Sequence, residues 1–189
     1  FVKGHSVGIA PIIAYQRFQA EGLQLFDNPV FSTSPGNVTN RGYDDAWGFG
    51  VRIGYMGQLT DQFSVGATYA TKVSMGEFDM YKGLFAEQGG FDIPSNFSLG
   101  VAFRPTPAWL LTLDFQRIYY DDAKSVSNPL AYMYSCLPPA FGGPGLRDNC
   151  LGGSDGAGFG WENINVWKFG VQWTMNDQWT FRAGYNRSD

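Results

Sequence analysis

The sequence predicts an all-β protein, an antiparallel transmembrane β-barrel with short periplasmic turns and long extracellular loops. Three observations carry that reading. Aromatic residues make up 17% of the 189 residues and charged residues only 16%, against roughly 25% charged in typical domains, yet the mean hydropathy is −0.20. A chain poor in charge but not apolar on average fits strands with one face in lipid and the other in water. No run approaches the roughly 18 continuous apolar residues of a spanning helix, whereas apolar and polar residues alternate in about seven stretches. Tight turns also alternate with long loops, which is the sidedness of outer-membrane barrels.

The strands follow in order. VGIAPIIAYQRF (7–18) sets Val7, Ile9, Ile13 and Tyr15 on one face, with Pro11 expected to interrupt it. WGFGVRIGYMG (47–57) alternates Trp47, Phe49, Val51, Ile53 and Tyr55 with Gly48, Gly50, Arg52, Gly54 and Met56. QFSVGATYATKVS (62–74) places Phe63, Val65, Tyr69 and Val73 opposite Ser64, Gly66 and Lys72. NFSLGVAF (96–103) and WLLTLDFQ (109–116) continue the pattern, the second with Asp114 among its polar positions. VWKFGVQWT (166–174) and WTFRAGYN (179–186) close it, with Lys168 and Arg182 on the polar face. Large apolar residues with Trp or Tyr near the strand ends form one face, as in the aromatic girdles of membrane barrels. Small or charged residues form the other. A secreted β-sandwich used for adhesion would alternate too, but its wet face is rarely filled with glycine.

The turns are QLTD (58–61), RPTPA (104–108) and TMND (174–177), rich in Pro, Asp and Asn. Long loops lie near 27–45, 75–95 and 121–162. The chain opens on FVKGHSVGIA (1–10), which reads as the start of a strand with neither signal peptide nor initiator Met, as expected of the mature part of an exported protein. An open sheet edge in lipid leaves backbone groups unpaired. Residues 1–189 are therefore expected to be a partial barrel domain, part of a larger one.

Three segments carry a family resemblance: HSVGIAPIIAYQRFQAEGLQLF (5–26), WGFGVRIGYMGQLTDQFSVGATYATKV (47–73) and WKFGVQWTMNDQWTFRAGYNRSD (167–189). Together they resemble the outer-membrane transport proteins of FadL and TodX type, which carry long-chain fatty acids and aromatic hydrocarbons. The resemblance implies about seven strands of a fourteen-stranded barrel, near the fifth to the eleventh. An N-terminal plug, a kinked third strand for lateral exit and the final strands then lie outside the chain. It also implies contact with outer-membrane lipid and lipopolysaccharide, and a first capture site in an apolar groove between two extracellular loops. By alignment these are the loops near 27–45 and 75–95, with Leu25, Phe26, Val30 and Phe31 in one and Phe78, Tyr81, Leu84 and Phe85 in the other. In EFDMYKGLFAE (77–87) the last four recur at helical spacing, which predicts a short amphipathic helix. The plainer alternative is that they pack the loop onto the barrel rim.

Arg52, Lys72, Asp114, Lys168 and Arg182 are expected to face the lumen, since a charge facing lipid at mid-membrane costs about 2–4 kcal/mol for Arg or Lys. There they pair with one another and line water, or one of them receives a fatty-acid carboxylate. Cys136 and Cys150, an even pair in an exported loop, are expected to form a disulfide. Asp44/Asp45 and Asp121/Asp122 sit at outer strand ends, where solvated carboxylates are favoured over Ca²⁺ ligands bridging lipopolysaccharide. GGSDGAGFG (152–160) lacks the Lys of a phosphate loop and reads as flexible loop. The only histidine is His5, so Ser–His or Cys–His catalysis has no support, and no metal or cofactor motif is present. A net charge of −4 and a pI near 4.9 argue against nucleic acid. The sequence thus points to a conduit for hydrophobic solutes, long-chain fatty acids first and monoaromatics second, with a general-diffusion barrel as the alternative.

Overall fold

The alternation becomes one antiparallel meander. The computed structural model describes residues 4–189; Phe1–Lys3, part of the stretch expected to open the first strand, lie outside the described residues. The strands are β1 (His5–Phe18), β2 (Asp44–Gln58), β3 (Phe63–Ala70), β4 (Ser74–Met75), β5 (Ser95–Thr106), β6 (Trp109–Tyr119), β7 (Ile164–Thr174) and β8 (Thr180–Ser188). The sheet order is β1-β2-β3-β5-β6-β7-β8, with the two-residue β4 pairing β2.

Register fixes the faces, because directly paired residues point to the same side of a sheet. Tyr15 pairs Trp47 and Ile13 pairs Phe49. Leu99 pairs Phe115, and Phe115 pairs Trp167. Trp109 pairs Trp173, and Trp173 pairs Phe181. Their rings stack at 5.7 Å in both of the last pairs. Ile13 is 72% and Trp47 63% exposed, values that make sense only with lipid against them. On the other face a row runs Met56, Gly66, Gly100, Asp114, Lys168, Asn186 across six strands. Gly100 has a steric reason: a Cβ there would run into the Asp114 carboxylate, which lies across it.

The short turns are closed by local side chains. Thr60 Oγ1 accepts from Phe63 N at 3.0 Å before β3. Asn176 Oδ1 accepts from Gln178 N and Trp179 N before β8. Short polar side chains mimic a backbone turn in this way.

Three expectations are corrected. Pro11 does not interrupt β1: pairing passes through Ala10–Arg52, Pro11–Val51 and Ile12–Gly50, since a proline removes only one ladder donor. The alternation of the third strand fails after Ala70. Arg52 pairs Ala70 while Phe49 pairs Ser74, so residues 71–73 oppose residues 50–51, a bulge of one extra residue that re-aims the chain. Val73 therefore packs against the lumen-side Gly48 and Gly50 instead of facing lipid, and is 3% exposed. Lys72 consequently belongs to the loop, paired with Asp92 at 2.7 Å. The amphipathic helix over 77–87 is also absent. Asp79–Tyr81 form one 3-10 turn, and Glu87 and Gln88 take positive φ of 57° and 65°. Gly83 explains the break: loop backbone at Ser34 and the Ser32 hydroxyl come so close that no side chain fits there.

Candidate functional site: an apolar cavity under interlocked loops

A barrel wall has lipid on one side and lumen on the other, so burial is found mainly in the extracellular cap. Loop 1 (19–43), loop 2 (71–94) and loop 3 (120–163) supply Val38, Phe78, Tyr81, Ala123, Cys136 and Cys150, all 2% exposed or less. Phe18, at the lumen side of β1, packs edge-on to Tyr81 at 4.9 Å and to Phe85 at 4.8 Å. The Tyr81 hydroxyl donates to Gly42 O at 2.6 Å and accepts from Ala20 N at 3.1 Å. It thereby ties both ends of loop 1 to loop 2.

The three loops are locked onto one another. Ser32 Oγ donates to Gly83 O, and Arg147 donates to Pro29 O and Ser32 O. Glu87 N and Gln88 N donate to Gly153 O and Gly152 O. Cys136 and Cys150 are joined as a disulfide, and Cys136 Sγ lies 3.1 Å from Val30 O of loop 1. Lys124 spans the seam, 3.0 Å from Asp155 and 3.2 Å from Glu87. The Asp155 carboxylate raises the Lys124 pKa above the usual lysine value near 10.5; desolvation opposes this and Glu87 adds to it. A raised lysine stabilises the folded form fully below its ordinary value, and that contribution is lost as pH climbs through the folded value. The seam is therefore expected to hold unchanged from neutrality to about pH 10 and to loosen only above the ordinary lysine value. Near-UV circular dichroism between pH 9 and 12 checks this. A Lys124→Met variant with the same transition as the parent would discount it.

Between the loops lies an apolar cavity of about 260 Å³. Leu23 and Phe26 of loop 1, Leu84 and Phe85 of loop 2, and Leu130, Met133 and Phe159 of loop 3 line it. Its polar side chain, Ser125, already donates to Gly90 O. Phe85 also lines a second cavity of about 210 Å³ with Gln16, Arg17, Phe18, Phe78 and Phe91, so it belongs to the lining of both. Gln16 Oε1 there is buried without a hydrogen-bond partner. Larger furrows of about 410 and 310 Å³ lie elsewhere, between outward residues such as Phe169 and Tyr185, or Phe115 and Trp167. They open to lipid.

Of the eight residues expected at the groove, Phe26, Leu84 and Phe85 line the cavity. Phe78 and Tyr81 form the aromatic cluster beneath it. Leu25 is 75% exposed, and Val30 and Phe31 lie outside the lining, Phe31 against Phe26 at 5.5 Å. Loop 3, expected from the sequence as a long disulfide-bridged loop outside the groove, also supplies lining residues. Its signal was the isolated apolar residues Leu130, Met133 and Phe159 in a polar, glycine-rich stretch. Of the charges, Asp114 and Lys168 pair in register, Lys168 donates to Gln116 at 3.0 Å, Arg182 donates to Gln172 at 2.8 Å, and Arg52 sits between Ala10 and Ala70. The acidic pairs bond locally: Asp44 to the amides of Asp45 and Met80, Asp122 to Ser95 N, and Asp121 to Asn163.

A meander with a lipid-facing aromatic wall, a polar inner wall and loops gathered around a half-open apolar cavity is the architecture of an outer-membrane β-barrel transport protein. The profile of the outer membrane protein transport protein family (OMPP1/FadL/TodX) matches residues 3–188, and the chain belongs to that family. It is thereby a protein of the bacterial outer membrane. No curated sequence matches it. Among solved structures it is similar to the Pseudomonas putida toluene transporter TodX, with 18% identity and a TM-score of 0.60 over 100% of this chain and 52% of that one. The Ralstonia pickettii toluene transporter TbuX gives 13% and 0.57, over 100% and 52%. The CymD monoaromatic hydrocarbon channel gives 16% and 0.54, over 100% and 56%. At such identities the likeness establishes the barrel fold. The chain spans about half the length of these structures.

Proposed function

We propose that the full-length protein is an uptake channel for hydrophobic solutes, that this chain supplies its extracellular capture chamber, and that monoaromatic hydrocarbons are the preferred class. The observation that carries the reading is the 260 Å³ apolar cavity held by all three loops. A cavity of about 150 Å³ with comparable lining holds benzene, so this one takes a substituted ring whole, while a long acyl chain would run out of it. No cation lines it to meet a carboxylate, and the Ser125 hydroxyl is committed to Gly90. A neutral hydrocarbon is therefore preferred to fatty acids, the class the sequence alone put first. Similar folds in toluene transporters and a monoaromatic channel support the same class.

Burying a ring at about 25 cal/mol per Å² yields a few kcal/mol, and association costs remove part of it. Weak capture suits a conduit, which must also release. Phe85 lines both the outer chamber and the inner one, so a turn of its ring joins them and passes the solute towards the lumen face of β1. The lumen charges, in this reading, pair with neighbouring polar groups and line water, with no part in capture.

Cells carrying the full-length protein test this with labelled toluene at limiting concentration. With Leu84→Glu and Leu130→Glu together, uptake is expected to fall about tenfold or more, because a chamber-facing carboxylate must stay hydrated. Unchanged toluene uptake at normal surface level would remove the cavity from the route. Palmitate uptake that falls while toluene uptake holds would return the site to fatty acids.

A further inference from the structure

The register places two arginines on the lipid side of the wall. Arg117 of β6 pairs Phe97 on one side and Asn165 on the other, and Phe97 belongs to the outward row. Arg187 of β8 pairs Trp167, another outward residue. Arg117 stands two residues from the extracellular end of β6, and Arg187 pairs Trp167, the fourth residue from the extracellular start of β7. A charge facing lipid is costly at mid-membrane and nearly free at the headgroups, so these side chains belong to the headgroup layer.

Asn165 and Tyr119 hold Arg117 there. Arg117 Nη1 donates to Asn165 Oδ1 at 3.0 Å, and its guanidinium lies 5.5 Å from the Tyr119 ring. Among the described residues neither arginine makes an ion pair. Arg17, also outward, contrasts with them: it pairs Asp45 in register and stacks on Tyr43 at 3.9 Å. β6 and β8 flank β7 and the two arginines are staggered by two residues along it, so their Cα atoms are about 12 Å apart across the wall. Just towards the membrane centre lies the 310 Å³ outward furrow, lined by Leu99, Val101, Leu113, Phe115 and Trp167. Trp167 is the direct partner of Arg187, and Phe115 lies two residues before Arg117 on the same face.

One cation above an apolar furrow and a second beside its upper edge, level with Trp167, are complementary to an amphiphile with phosphates above acyl chains. We propose that Arg117, Asn165 and Arg187 form a binding site on the outer wall for the phosphorylated glycolipid of the outer leaflet, lipid A of lipopolysaccharide. The guanidiniums take phosphate oxygens, a charge-assisted and frequently bidentate contact. Asn165 orients Arg117, and an acyl chain lies along the furrow. The site is on the opposite face from the capture chamber and does not depend on the proposed cargo.

The test uses the purified full-length protein in detergent, with bisphosphorylated lipid A, its dephosphorylated form and phosphatidylglycerol as probes, read by native mass spectrometry. The parent is expected to retain bisphosphorylated lipid A. The Arg117→Gln/Arg187→Gln variant should bind it about tenfold or more weakly, and the lumen-side Arg52→Gln variant should bind it as the parent does. Heat-modifiable migration confirms that each variant's barrel is folded, and toluene uptake should be unaffected. Equal retention by the double variant, or equal retention of dephosphorylated lipid A, overturns the site. Phosphatidylglycerol binding as tight as lipid A overturns its assignment to the glycolipid.

Discussion

Replacing Phe78 with alanine is expected to destabilise loop 2 by about 3–5 kcal/mol, the cost of removing a buried aromatic ring. Phe78 is 2% exposed and joins Ala46, Tyr81 and Phe85 in the cluster that seats the loop on the lumen side of β1 and β2. Its loss should be local, because the sheet is held by backbone ladders that Phe78 does not touch. Amide exchange over residues 76–93 is therefore expected to accelerate about a hundredfold or more, with β5–β8 unaffected. Leu25→Ala, at a position 75% exposed, should fall within about 0.5 kcal/mol. Acceleration below tenfold for Phe78→Ala would mean that the cluster does not hold the loop. A polar residue at Phe78 would confound any uptake assay with loss of the cap, which is why Leu84 and Leu130 are the informative positions for capture.

The second large effect belongs to the disulfide. Cys136 and Cys150 are 14 positions apart, and a bridge closing a loop of that size contributes about 3 kcal/mol in the chain-entropy account. Loop 3 has no strand pairing inside it and only short helical turns, so apart from its contacts with loops 1 and 2 the bridge is its main restraint. The bridge also presses on loop 1, with Cys136 Sγ at Val30 O. Cys136→Ala/Cys150→Ala is thus expected to speed exchange and proteolytic cutting in 121–162 and to weaken toluene capture, while heat-modifiable migration of the barrel stays the same. Loop 3 as protected as in the parent would show that Arg147 and the Ser32–Leu151 bridge hold the seam without it.

The outer-wall arginines show how far a periodic pattern reads. The alternating stretches read from the sequence end at Gln116 and Asn186, one position short of Arg117 and Arg187. Extending the same period by one residue puts both on the lipid face, as the register confirms. The bulge after Ala70 is the opposite case. Nothing in ATKVS (70–74) announces the extra residue, and only its pairing with β2 reveals that Val73 turns inward.

The sequence by itself determined the wall: which residues form strands, which face meets lipid, where the tight turns fall, and that two loop cysteines pair. These follow from local physics, because a strand's side chains alternate with a fixed period of two and a face in lipid must be apolar. Tertiary structure alone decided the chamber. Its lining comes from three loops distant in the chain, and contacts such as Thr33 Oγ1 to Leu151 O span 118 positions. Loops have no period to read, and helical spacing in 77–87 was misleading because Phe78, Tyr81 and Phe85 converge by wrapping around Phe18 rather than by lying on one helix face. Which side chains meet there is set by long-range packing, and that packing exists only once the strands have brought the loop ends together.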